Sequence, residues 1–236
     1  MKRWRIVVAI ALLVAAGVAG QFALAARRPL KTPAAAEGII AALGGFRSLA
    51  AEAVWFRADR LQEDGRYVEL AQLASTLTFL EPHTPEVWSY AAWNLAYNIS
   101  VMMPTPEDRW RWVAAAIRLL RDEGLRLNPD DPDLCCDLAW LFQLKLAGRI
   151  DSAAATYCGK WREIVEDARA RDAWHELGMT RARMQEVESR YGVKDWTDPQ
   201  ASAIYWAHQG LRGATGNVRV FLSEIVRQAC ARLSHA

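Results

Sequence analysis

Residues 51–82 read AEAVWFRADRLQEDGRYVELAQLASTLTFLEP, and the reading of this stretch decides the fold. Apolar residues return at helical steps, as at Leu49, Ala53, Phe56 and Leu61, without the two-residue alternation of a strand. Gly65 interrupts the run and Pro82 ends it, so the segment predicts two antiparallel helices joined at Gly65-Arg66-Tyr67. Working outward, similar breaks fall at Gly44-Gly45, Pro82 to Pro85, Pro104 to Pro106, Asn128 to Pro132, Gly148, Tyr191-Gly192, Asp198-Pro199 and Gly213 to Gly216. They divide the chain into helices of roughly 12–20 residues, and an all-α fold follows.

The interval between breaks is itself a signal. With Pro82 closing a unit that begins at Ala51, the residues Ala58, Leu61, Gly65, Tyr67, Leu70 and Ala74 occupy the marker positions of a 34-residue helix-turn-helix repeat. A unit begun at Pro85 places Trp88, Ala91, Ala92 and Leu95 in the same way, and a third near Pro132 places Cys135, Leu138, Ala139 and Phe142. Small residues at such positions let paired helices approach, and large ones fill the interval. This pattern resembles the tetratricopeptide repeat (TPR). The longer string from Gly44-Gly45-Phe46-Arg47 through Trp93-Asn94-Leu95-Ala96-Tyr97-Asn98 to Leu138-Ala139-Trp140-Leu141-Phe142-Gln143 resembles a group of uncharacterised bacterial membrane-anchored TPR proteins. The resemblance implies an antiparallel helix-hairpin solenoid whose concave groove binds peptides or protein partners, and it implies no chemistry.

In such an array the first helix of each repeat faces the groove. The groove candidates are then Trp55, Asp59 and Gln62 from the first unit, Tyr90, Trp93, Ala96 and Tyr97 from the second, and Asp137, Trp140 and Gln143 from the third. The centre is aromatic and the edges acidic, a composition suited to interface anchoring. The alternative is that the segment inserted in the second unit or the chain's own capping helices fill this groove and turn the aromatics into core. The second unit closes at Leu127-Asn128-Pro129, about 13 residues later than the 34-residue period allows, so a loop or lengthened helix is expected around Met102-Met103-Pro104. Beyond it, Trp110 and Val113 are expected in the core, with Arg109 and Arg111 solvated.

Ahead of the repeats, the 21 residues Ile6 to Ala26 carry no charge, enough helix to cross a bilayer. Lys2, Arg3 and Arg5 precede them and predict a cytoplasmic N-terminus with the remainder exported. Ala23-Leu24-Ala25 leaves open a cleaved signal peptide and a soluble periplasmic product. The expected organisation is an N-terminal transmembrane helix over 1–28, a linker over 29–45, TPR-like repeats over 46–170 and C-terminal capping helices over 171–236. The expected address is a single-pass inner-membrane protein with its C-terminal domain in the periplasm.

Composition narrows the function classes. The chain has 29 basic and 27 acidic residues; taking Lys2, Arg3 and Arg5 away leaves 26 against 27, a balance unlike that of a non-specific nucleic-acid binder. His175-Glu176 lacks the second histidine of a helical zinc site, and Asp130-Asp131-Pro132-Asp133 lacks the glycine and distal glutamate of a calcium loop, so helix capping is its better reading. No phosphate-binding glycine loop or nucleophile elbow occurs in the sequence. The expectation is a non-enzyme with no catalytic residues, metal or cofactor, a protein partner, a membrane contact through the N-terminal helix, no nucleic acid and no small-molecule substrate. Of the four cysteines, Cys158 lies within conceivable reach of Cys135 or Cys136, while buried free thiols are the default.

Overall fold

The computed structural model describes residues 44–148 and 151–234, which fall into two units dividing between Glu63 and Asp64. The expected membrane span Ile6 to Ala26 and the bulk of the linker lie outside the described residues. Among the described residues the regular structure is all helical, with no strand. No helix there is long and apolar enough to cross a membrane.

The first unit contributes one helix, α1 (Gly44–Glu63). Ala51, Ala58 and Leu61 form its buried face, and Phe56 is exposed with the Arg60 guanidinium 4.6 Å from its ring.

The second unit holds α2 (Tyr67–Leu80) and then three long helices, each with one π-helical turn. Helix α3 runs through Pro85–Trp93, the π turn Asn94–Ile99 and Ser100–Met102. Helix α4 runs through Pro106–Arg118, the π turn Leu119–Gly124 and Leu125–Leu127. Helix α5 runs through Pro132–Trp140 and the π turn Leu141–Leu146. There follow α6 (Ala154–Ala170), a 3-10 turn at Trp174–Leu177, α7 (Arg181–Tyr191), α8 (Pro199–Leu211) and α9 (Gly216–Leu233).

Local chemistry sets these starts. Proline occupies the first turn of α3, α4, α5 and α8, where its missing N–H costs nothing. Thr105, Asp131, Thr180 and Asp198 each accept a hydrogen bond from a first-turn amide, a contribution of about 1 kcal/mol apiece. Asp131 Oδ1 receives the amides of both Asp133 and Leu134, so the acidic run serves a helix start.

Helices α3 and α4 form an antiparallel hairpin, with 94–99 against 106–118 and 85–93 against 119–124. Helix α5 lies beside α3, and α6 lies against both α4 and the end of α5, so a second hairpin rests on the first. The surplus residues of the second unit do not make a long loop. They lengthen both helices of the hairpin and leave only residues 103–105 between them. The turn before α3 is tied to the end of α4: Trp88 Nε1 and Asn128 Nδ2 both donate to the Pro82 carbonyl, at 2.9 and 3.0 Å, and His83 Nδ1 donates to the Leu127 carbonyl at 3.0 Å.

The C-terminal helices, expected as a cap, include one that is covered on nearly every side. Every residue of α8 from Pro199 to His208 is buried, and so is Gly210. A helix covered all round is a core element, and α5, α6, α7 and α9 all pack against it. Gly210 permits the closest approach: a Cβ there would lie 2.9 Å from both Cys135 Cβ and Leu222 Cδ1. Gly210→Ala is therefore expected to destabilise the fold by about 1–3 kcal/mol in urea denaturation. Gly159→Ala in α6, where an added Cβ meets nothing within 4 Å, should instead stabilise by up to about 1 kcal/mol.

Candidate functional site

Side chains four apart on a helix share one face. On α3 these are Ser89, Trp93 and Tyr97, and they meet Asp137, Trp140 and Leu141 of α5 in a cleft floored by Ala92 and Leu120. All three π turns reach this cleft, through Tyr97, Leu120 and Leu141. Ala96, expected in the groove, is fully buried, in step with Ala92 four residues before it.

Trp93 is 50% exposed, the only exposed tryptophan among the described residues. It stacks on Tyr97 with ring centroids 4.1 Å apart. Opposite, Trp140 stacks on Phe221 of α9 at 4.9 Å. The space enclosed is about 10 Å³, the size of a single water, so the cleft is a surface and not a container.

One carboxylate sits in it. Burial pushes the Asp137 pKa up to about 6, with the Ser89 hydrogen bond working against the rise and the charges of Asp133 and Asp131 adding to it. Beside it the Tyr97 hydroxyl is shielded from solvent and meets no partner in hydrogen-bond geometry, and burial raises its pKa as well.

The other face of the Tyr97 ring is occupied from within. Lys145 Nζ lies 5.0 Å from its centroid, is 4% exposed, and pairs with Asp151 at 2.6 Å. Burial would raise the Asp151 pKa, but the hydrogen bonds from Lys145 and the Ala153 amide hold it below the ordinary carboxylate value. Arg109 completes the group, 3.6 Å from Asp151 and donating through Nε to the Met103 carbonyl at 2.9 Å. Arg109 is thus a structural tie and not a solvated charge; Arg111 remains exposed, Val113 is fully buried, and Trp110 packs partly buried against the core.

Of the sequence-derived groove residues, Trp93, Tyr97, Asp137 and Trp140 line this cleft, and Tyr90 is half-buried nearby in sequence on α3. Trp55 is half-buried and Asp59 and Gln62 are exposed, all on α1 in the first unit. Gln143 is not available to a partner. It is 1% exposed, its Nε2 donates to the Ile225 carbonyl of α9 at 3.1 Å, and its own carbonyl receives Gln200 Nε2 and Arg232 Nη1. Helix α9 covers that end of the groove. Phe221 and Lys145 carried no local signal of their place here.

The four cysteines are free thiols; Cys158 Sγ donates to the Leu146 carbonyl, and burial pushes the Cys136 thiol up to about 12. Among the described residues no group of His, Cys, Asp and Glu is placed to hold a metal ion. Comparison of the chain with family models, curated proteins and solved structures finds no match.

A carboxyl whose pKa is raised in the folded state keeps its proton longer there than in the unfolded chain. Its unfavourable contribution is absent at about pH 3, grows between pH 4 and 6, and is complete above pH 6. Asp137→Asn should therefore raise stability by about 1–2 kcal/mol at pH 8 and by little at pH 3, measured by denaturant unfolding at the two pH values.

Proposed function

We propose that the chain is a membrane-anchored adaptor of the TPR type. In this reading the helical domain is exported, the apolar segment Ile6 to Ala26 holds it at the inner membrane, and the cleft between α3 and α5 binds a polypeptide partner, possible settings being an envelope transport, secretion or pilus-like assembly. No catalytic step, cofactor, small-molecule substrate or nucleic acid enters this reading. The observation that carries it is Trp93: a large rigid ring left half exposed, backed by Tyr97 and set beside the Asp137 carboxylate. Covering the rest of such a ring contributes about 3 kcal/mol, and interface anchors are drawn from this residue type. The repeat-like spacing of the sequence and the stacking of the α3/α4 hairpin beside α5 and α6 support the same architecture.

A second reading has its own observation. Helix α9 closes over Gln143 and sets Phe221 on Trp140, which favours an architectural subunit whose groove is filled from its own chain. The two separate by photo-cross-linking in the native membrane from a reactive residue at position 90. The adaptor reading expects an adduct with a distinct polypeptide that Trp93→Ala removes, while the helical content and unfolding midpoint of that variant stay close to the parent. Cross-links confined to the chain itself, or an adduct indifferent to Trp93→Ala, would favour the architectural subunit.

A further inference from the structure

Between α7, the end of α8 and α9 lies an open cavity of about 310 Å³, lined by Arg190 and Tyr191 of α7, His208 and Arg212 at the end of α8, and Arg219 and Ser223 of α9. Its volume reaches the range of small-ligand sites. Its lining is basic. Arg171, Arg181, Arg183 and Arg227 are each paired with a carboxylate, whereas among the described residues no ion pair engages Arg190, Arg212 or Arg219. Three unneutralised guanidiniums therefore face one cavity.

Two of them are held by the walls. The Arg190 guanidinium lies 5.6 Å from the Tyr191 ring centroid, and Arg219 Nη1 donates to the Leu211 carbonyl at 3.2 Å, leaving its other N–H groups free to turn to a ligand. Behind them His208 is fixed at both nitrogens, with the Tyr191 hydroxyl 3.2 Å from Nδ1 and the Glu186 carboxylate 3.3 Å from Nε2. Glu186 is not part of the lining.

We propose that this cavity is an anion site for a phosphomonoester, held by Arg190, Arg212 and Arg219. A tetrahedral dianion presents several oxygens to several guanidinium forks at once, a match that a single carboxylate does not offer. The cavity exceeds the phosphate itself, so the group it is attached to is accommodated as well. The phosphate comes either from a soluble metabolite or from a lipid headgroup, and the site stands independently of the adaptor cleft.

The test is the thermal unfolding midpoint of the full chain, followed with inorganic phosphate against chloride at matched ionic strength, and in phosphatidylcholine bilayers with and without phosphatidic acid. A saturable rise is expected in at least one arm. Phosphate alone points to a soluble ligand, and phosphatidic acid alone points to a headgroup. Arg190→Gln/Arg212→Gln should weaken the response about tenfold or more, while Arg162→Gln, exposed on α6, leaves it intact. Arg219 is kept because it also holds the Leu211 carbonyl. The proposal fails if neither arm shifts beyond chloride, or if the double variant responds as the parent does.

Discussion

The second unit is organised by the complete enclosure of α8. A helix buried on every face forces each neighbour to present a matching surface, and here α5, α6, α7 and α9 all do so. The enclosure depends on small residues where helices approach closely. Ala201, Ser202, Ala203, Ala207 and Gly210 are all buried, and at Gly210 there is no space for one more carbon. Larger groups fill the remaining directions: Tyr205 and Trp206 pack edge to face at 5.2 Å, and Trp196 stands 6.2 Å from Tyr205.

Enclosure brings polar groups along with it. Gln143, Gln200 and Arg232 exchange hydrogen bonds with carbonyls of α5 and α9, which binds the C-terminal helix to the end of the groove. The buried Lys145–Asp151 pair works the same way around the cleft. Taking both charges from water is costly, and their attraction recovers that cost only with further hydrogen bonds; Tyr157, the Ala153 amide and Arg109 supply those on the Asp151 side. The consequence for the cleft is rigidity. Tyr97 is held between Trp93 and the Lys145 ammonium, so the aromatic surface is set before any partner arrives and little side-chain entropy is left to lose on contact.

Helix identity and most helix ends were legible because they depend on local chemistry, on the prolines at 85, 106, 132 and 199 and the caps at 105, 131 and 198. The pairing of Trp93, Tyr97, Asp137 and Trp140 was legible too, since a repeat places equivalent positions side by side. What escaped were consequences of long-range packing. The π turns lie inside helices whose residue types carry no sign of them, and Ala96, expected in the groove, is buried. Phe221 reaches Trp140 across some eighty residues of chain, and although the capping helices read as an alternative filling of the groove, nothing local marks Gln143 as the residue they seal. The depth of α8 was hidden as well. Its alternation of alanine, serine and aromatic residues has no polar face, and only the neighbours reveal that it needs none.

The arrangement of tryptophans then bears on function. Trp88, Trp161, Trp174, Trp196 and Trp206 are almost wholly buried, and the core cluster takes in every one of them. Trp93 stands on the same helix as Trp88, five residues on, yet half of it faces outward. Tyr97 covers one face of the ring. An exposed apolar surface of that size beside a carboxylate is hard to account for as packing alone, whereas contact with another surface would use both the ring and the charge. Helix α9 seals the Gln143 end of the groove and stacks Phe221 on Trp140, while the Trp93 ring on α3 stays half exposed.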